Sequence, residues 1–289
     1  MNTLGNNNKH RHLATLAYSA GRVCLVLALA FTLSMMGGVV QAAPSAATAP
    51  GLGSAASFAV LAGTAVTCTD STITADVGVY PGTAVTQTNS IIAGTIHAGD
   101  ETAAAAYADF LSAYEALALV PCDAVLIGTL DGVTLSPGVY CFDAAATLTG
   151  QLTLDGPSDG TWIFKIGTSG TGALMGTNFS VVMAGGGQAG NVYWRVADDV
   201  ILTNSNFLGT ILAGAAITIT DGTFDGRALA KAAVTLTGTS VTAPTPVSPT
   251  PTPVTPTPTP TNTPEPTPTT GQAPVDLRSA GSFVILSKS

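Results

Sequence analysis

The chain has 289 residues, of which 9% are charged and 6% aromatic, with 32 glycines and a formal net charge of −8 at pH 7. Average globular chains carry about 25% charged residues, and solvated helices draw on Glu, Lys and Arg, so the composition disfavours a helical enzyme and suits strands and turns surfaced with Thr, Ser, Ala and Gly. The acidic balance argues against nucleic acid or an anionic membrane as a partner.

Residues 1–43 read as a secretory signal peptide. Lys9, Arg11 and Arg22 flank the start of an apolar run over 23–36, and Val40-Gln-Ala42 offers a small-residue cleavage site. The run is shorter than the ~20 residues of a membrane span. Cleavage removes three of nine basic residues and none of 17 acidic ones, which leaves 6 − 17 = −11. Cys24 leaves with this segment, while Cys68, Cys122 and Cys141 remain. Export permits a disulfide. Three cysteines cannot all pair within one chain, and sequence alone does not fix which do. Cys122–Cys141, which closes a short loop, is the expected pair, with Cys68 as a small buried hydrophobe.

A spacer over 44–51 leads into a folded domain over 52–243. Strands are predicted at 57–61 and 64–69. One helix is predicted over 100–119, capped by Asp100, with Glu101 at its positive end and Pro121 stopping it. Tyr107, Phe110, Leu111, Tyr114 and Leu117 fall on one helical face, which must lie on the flank of the strand region. Further short strands are predicted at 133–135, 138–142, 147–154, 161–166, 180–183, 191–196, 200–203, 207–212, 216–220, 226–230 and 233–237.

Three of these segments spell nearly one line: Val200-Ile-Leu-Thr-Asn-Ser-Asn-Phe207, Ile217-Thr-Ile-Thr-Asp-Gly-Thr-Phe224 and Val234-Thr-Leu-Thr-Gly-Thr-Ser-Val241. The fourth-position Thr recurs at 203, 220 and 237, a constant spacing of 17. A short fixed period of strands predicts stacked coils. Alternate residues share a face, so Val, Ile and Leu point inward while Ile201, Thr203, Thr218, Thr220, Thr235 and Thr237 point outward. Ala146-Thr-Leu-Thr-Gly150 adds Thr147 and Thr149, and Val66-Thr-Cys-Thr-Asp-Ser-Thr-Ile73 adds Thr67 and Thr69. Gly172-Ala-Leu-Met175 places Ala173 and Met175 in the equivalent positions. Thr columns also arise from strand propensity alone.

Past the domain, residues 244–274 form a Thr/Pro-rich linker that excludes helix and sheet interior and predicts an extended spacer. Leu277-Arg-Ser-Ala-Gly-Ser-Phe-Val-Ile-Leu286 then repeats Leu52-Gly-Ser-Ala-Ala-Ser-Phe-Ala-Val-Leu61 with six of ten positions identical. Residues 275–289 read as the truncated start of a second copy of the domain.

Several longer motifs carry a family resemblance. They are Asp76-Val-Gly-Val-Tyr-Pro-Gly82, Gly94-Thr-Ile-His-Ala-Gly-Asp100, Leu135-Ser-Pro-Gly-Val-Tyr-Cys141, Asn191-Val-Tyr-Trp-Arg-Val196, Phe207-Leu-Gly-Thr-Ile-Leu-Ala213 and Gly226-Arg-Ala-Leu-Ala230. Over 52–242 the chain resembles the microbial ice-binding β-solenoid family. The resemblance implies a mainly β fold, a right-handed parallel β-solenoid of triangular cross-section with one long α-helix packed alongside. It also implies that the coils are not climbed in chain order, so the Val66 segment neighbours the last coils. The implied activity is adsorption to an ice crystal surface through a flat Thr-rich face, restraining ice growth and recrystallisation. The expected ice face is Thr147, Thr149, Thr203, Thr218, Thr220, Thr223, Thr235 and Thr237. Family members often show Thr-Ala/Gly-x-Thr/Asn steps there, and two of the three steps here place Asn204 or Asp221 at the small-residue position. Ile201 and Met175 interrupt the Thr columns. The expectation is therefore a modest ice binder: a secreted monomer without enzymatic activity, cofactor, metal, small-molecule substrate or nucleic-acid partner, with the linker available for cell-envelope attachment. The alternative is a cell-surface adhesive or structural solenoid without ice activity.

Other motifs carry less. Gly185-Gly-Gly-Gln-Ala-Gly190 matches the dinucleotide pattern, but a strand follows it instead of a helix, so it reads as a turn. His97 reads as a structural hydrogen-bonding residue, and one His with three Cys makes no zinc cluster. Adjacent Asp198 and Asp199 alternate faces and form no acid/base pair.

Overall fold

The computed structural model describes residues 47–244. The segments read as signal peptide, linker beyond Pro244 and C-terminal repeat lie outside the described residues. The chain runs through β1 (Phe58–Ala62), β2 (Ala65–Thr69), β3 (Thr72–Ile73), β4 (Asp76–Val79), β5 (Ala84–Thr88), β6 (Ile91–Ile92) and β7 (Ile96–Ala98). Helix α1 (Glu101–Leu119) follows. Then come β8 (Ala124–Val125), β9 (Val133–Leu135), β10 (Gly138–Phe142), β11 (Ala146–Asp155), β12 (Trp162–Ile166) and β13 (Leu174–Ala184). The last strands are β14 (Val192–Val196), β15 (Val200–Ala213), β16 (Ile217–Ala230) and β17 (Val234–Thr242).

All pairings between these strands are parallel, and they sort into three columns. The first contains β8, β10, β12, β14, the ends of β15 and β16, then β1, β4 and β7. The second contains the starts of β11, β13, β15, β16 and β17, then β2 and β5. The third contains β9, the later parts of β11, β13, β15, β16 and β17, then β3 and β6. The molecule is a parallel β-solenoid with three faces. Its rungs do not follow chain order: the last strand, β17, pairs with β2 through Val234↔Val66 and Thr237↔Thr69. The N-terminal rungs therefore extend the stack beyond the C-terminal one.

The interior is a column of apolar side chains from all three faces. Phe207 lies 6.1 Å from both Phe179 and Phe224 and 4.8 Å from Trp194, by ring centroids. Trp162 and Trp194 are fully buried, and each indole N–H donates to a backbone carbonyl, of Leu135 and Leu208 respectively, at 3.0 Å. Burying these polar tips costs little because both find acceptors. Cys68 faces the same core, and burial pushes its thiol up to about 11.

Helix α1 covers the first column. Asp100 caps it by accepting from the Ala103 N–H at 2.8 Å, and its Oδ2 lies 2.8 Å from Nδ1 of His97. These two interactions, the Ala103 bond first, hold the Asp100 carboxyl below its ordinary range. Ala106, Phe110, Ala113, Tyr114 and Leu117 pack on Leu61, Ile163, Tyr193, Leu212 and Leu229. Small Ala residues let the helix sit close to the sheet. Tyr107 and Tyr114 donate across the interface to the carbonyls of Lys231 and Val196, each at 3.2 Å. Buried Lys165 donates to the carbonyls of Ala118 and Val120 at 2.9 and 2.6 Å, placing a cation at the negative end of the helix. Cys122 and Cys141 form a disulfide just beyond this end.

The predicted helix and most predicted strands are present, and the differences lie in short strands that were not expected, β8 among them, and in strands longer than expected, such as β13, which begins at Leu174. The region 72–98 holds β3 to β7, which their short lengths and Gly and Pro content conceal. The strands predicted at 200–203 and 207–212 are one 14-residue strand, β15, and those at 216–220 and 226–230 are likewise one strand, β16; the two turn from face to face together, their pairing skipping only Asn204 and Asp221.

The stacked phenylalanines make the core sensitive to truncation. Phe207→Ala removes the central ring of the Phe179–Phe207–Phe224 ladder and should destabilise the fold by about 3–5 kcal/mol. Urea unfolding followed by circular dichroism measures this.

Candidate functional site

The second column presents an outer face of regularly repeated positions. In its strands the inward positions hold Val200 and Leu202, Ile217 and Ile219, Val234 and Leu236, Val66 and Cys68, all buried. The intervening residues point out in rows, because parallel pairing in register repeats the same position on every rung. One row runs Thr147, Met175, Ile201, Thr218, Thr235, Thr67, Thr86. The next runs Thr177, Thr203, Thr220, Thr237, Thr69, Thr88. Thr149 stands at the foot of this second row, opposite Thr177 and Asn178, where β11 has one residue fewer than β13. Rungs lie ~4.8 Å apart and the two rows ~6.6 Å apart. On the four rungs of β16, β17, β2 and β5 both rows are Thr throughout, an unbroken two-by-four lattice. Neither row holds a charged side chain.

A left-handed corner bounds the second row. The residue after each second-row Thr has positive φ: Asn178 at 50°, Asn204 at 48°, Asp221 at 58°, Gly238 at 63°, Asp70 at 50° and Asn89 at 50°. Asn, Asp and Gly are the residues that enter this region at low cost. Asn204 and Asp221 are therefore corner residues required by the turn and not flaws in the lattice. Asn204 also donates to Asn178 on the adjoining rung at 2.6 Å. On the opposite margin, Asp198 accepts from the Gly172 N–H at 2.7 Å and Asp199 from the Ala216 N–H at 2.9 Å, clamping one rung on each side.

Of the eight residues predicted from sequence, Thr147, Thr149, Thr203, Thr218, Thr220, Thr235 and Thr237 share this face. Thr223 does not. It follows the corner at Asp221, belongs to the third column, and donates to Asn206 on the next rung at 2.9 Å. The two-residue rhythm expected to continue through position 223 is broken by the left-handed residue. Sequence reasoning also misplaced one step: Leu174, not Gly172, aligns with Val200, so Met175 and Thr177 occupy the two rows and Ala173 lies one position outside them. Thr177, Thr86 and Thr88 were missed as members. The signal for the last two was present, since Val85-Thr-Gln-Thr-Asn-Ser90 repeats Val66-Thr-Cys-Thr-Asp-Ser71 at a spacing of 19 rather than 17.

These features define a β-solenoid whose distinctive surface is an uncharged Thr lattice. A family model described as ice-binding-like matches residues 60–242, and the chain belongs to that family. An ice-binding protein of Nostoc sp. (strain HG1) is 40% identical over 198 residues, covering 66% of this chain and 72% of that one. An ice-binding protein of Colwellia sp. is 33% identical over 136 residues, which span 45% of this chain and about half, 52%, of that protein. The crystal structure of an ice-binding protein from the Antarctic ascomycete Antarctomyces psychrotrophicus superposes with a TM-score of 0.64 at 34% identity, covering 68% of this chain and 99% of that one.

The corner makes a conformational prediction. Asp221→Gly should change stability by less than about 1 kcal/mol, whereas Asp221→Ile, β-branched at positive φ, should cost about 1–2 kcal/mol more. Thermal unfolding of the two variants distinguishes them, and equal stabilities would contradict the steric account.

Proposed function

We propose that this protein adsorbs to ice through the two Thr rows of the second face and thereby restrains ice growth and recrystallisation. The observation that carries the reading is the unbroken Thr lattice on β16, β17, β2 and β5, in a chain that belongs to the ice-binding-like family. Each Thr hydroxyl both donates and accepts a hydrogen bond, and its branched Cβ leaves few χ1 choices. The lattice therefore offers fixed polar anchors at spacings comparable to the oxygen repeats of ice. The methyl groups between them limit competing water arrangements. A charged side chain would hold its own hydration shell and disturb such order, and the rows contain none.

The site residues of this reading are Thr67, Thr69, Thr86, Thr88, Thr147, Thr149, Thr177, Thr203, Thr218, Thr220, Thr235 and Thr237. It involves no reaction and no cofactor. The leader-like segment over 1–43 supports export, and the Thr/Pro-rich segment supports display of the domain as a monomer away from a cell surface.

Thermal hysteresis and recrystallisation inhibition test the reading. The full chain should show both, and Thr220→Tyr, which raises a bulky ring in the middle of the second row, should lower hysteresis by about tenfold. Thr223→Tyr, past the corner, should retain activity. An inactive wild type, or a fully active Thr220→Tyr, would overturn the assignment.

A further inference from the structure

Behind the second Thr row lies a row of hydroxyls, buried at Ser71, Ser205 and Thr239 and half-buried at Ser90. The residue two positions after Thr203, Thr220, Thr237, Thr69 and Thr88 is Ser205, Gly222, Thr239, Ser71 and Ser90 respectively, while Thr177 is followed by Phe179. Ser205, Thr239 and Ser71 are at most 3% exposed. Each hydroxyl donates to the carbonyl of the second-row Thr on its own rung: Ser205 to Thr203 at 2.9 Å, Thr239 to Thr237 at 3.0 Å, Ser71 to Thr69 at 2.8 Å and Ser90 to Thr88 at 3.0 Å. Three of them also accept a backbone N–H from the neighbouring rung. Phe179 donates to Ser205 at 3.2 Å, Thr239 to Ser71 at 3.2 Å, and Ser71 to Ser90 at 3.1 Å.

These bonds stand where the left-handed corner interrupts the sheet. β2 and β3 are separate strands on either side of Asp70, as β5 and β6 are on either side of Asn89. A buried backbone group there needs a partner, and the hydroxyl supplies one in each direction. The carbonyl it holds belongs to the peptide that begins at the surface Thr. Fixing that peptide plane fixes the direction of the Thr Cα–Cβ bond, and a β-branched side chain then has little freedom of its own.

We infer that Ser71, Ser90, Ser205 and Thr239 are positioning residues for the second Thr row, setting the level and orientation of Thr69, Thr88, Thr203 and Thr237. The inference rests on the reading of this face as the ice-contacting one. Gly222 is the gap in the row, and its surroundings explain it: a Cβ there would lie 2.1 Å from the Ser205 carbonyl oxygen. The Thr239 hydroxyl, whose proton goes to the Thr237 carbonyl, lies 3.4 Å from the carbonyl oxygen of Ile219 on that rung and leaves the Thr220 carbonyl without this contact.

The test uses the full chain with Ser71→Ala, Thr239→Val, Ser71→Thr and Thr237→Tyr, compared at equal folded concentration near 0 °C. Thermal hysteresis and melting temperature are measured together. Ser71→Ala and Thr239→Val should each lose about two- to fivefold in hysteresis while remaining folded. Ser71→Thr, which keeps the hydroxyl in the form Thr239 already uses, should retain activity. Unchanged hysteresis in folded Ser71→Ala and Thr239→Val, with only the melting temperature lowered, would reduce these groups to stabilising ones and overturn the inference. So would an equal loss in Ser71→Thr and Ser71→Ala. If Thr239→Val does not fold, Ser90→Ala on the end rung makes the same comparison. Full activity in Thr237→Tyr would instead reject the face itself, and the inference with it.

Discussion

Adjacent rungs pair in parallel and in register, so each rung repeats the positions of the one beside it. This backbone constraint dictates the rest. A position that is apolar on one interior rung is apolar on its neighbours, which produces the Val, Ile and Leu columns of the interior; only at the end of the stack, on β5, does the polar Gln87 take the position of Cys68. A position that must turn left-handed recruits Asn, Asp or Gly each time. A position that faces out becomes a row. One rung buries too little surface to persist alone, and the stack buries a continuous core.

The same pairing explains the unusual path of the chain. The edge of β17 is an unpaired ladder until β2 and β3 cover it, and the end of β16 is likewise open until β1 arrives. Early strands therefore complete a template that later strands supply. Contacts across such sequence distances make loop closure costly, and α1 offsets part of that by spanning the first column between β7 and β8. Arg227 secures the junction: it donates to the carbonyls of Ala56 and Pro244, tying both ends of the domain to β16. It is nearly fully buried, and that burial lowers its pKa. These two charge-assisted bonds offset part of the cost of its burial.

Sequence patterns revealed the parts of the fold that depend on local chemistry. The helix was legible because its cap, its stop and its apolar face lie within one window. The Thr rows were legible where rungs have equal length, as at Thr203, Thr220 and Thr237. They became illegible where loops change length, because a rung of 26 residues separates Thr177 from Thr203 and one of 19 separates Thr69 from Thr88. The corner was hidden for a different reason. A two-residue alternation carries no mark of positive φ except the identity of the residue that adopts it, and Asn204 and Asp221 resemble ordinary substitutions until the columns are aligned. The resemblance to known sequences supplied the chain order, which no local pattern contains.

For a face read as ice-binding, the rows also locate where contact should be strongest. In the first row Met175 and Ile201 are 39% and 43% exposed, on adjoining rungs. They present methyl groups where Thr methyls stand elsewhere but lack the hydroxyl beside them, so these rungs anchor water through the second row alone. The rungs of β16, β17, β2 and β5 offer both rows. Of these, β5 has one neighbour, β2, and its outer backbone edge is free among the described residues. A strand held from one side depends more on its own corner. That dependence gives the Ser90–Thr88 bond, at the end of the stack, the greatest weight in keeping Thr88 level with the lattice.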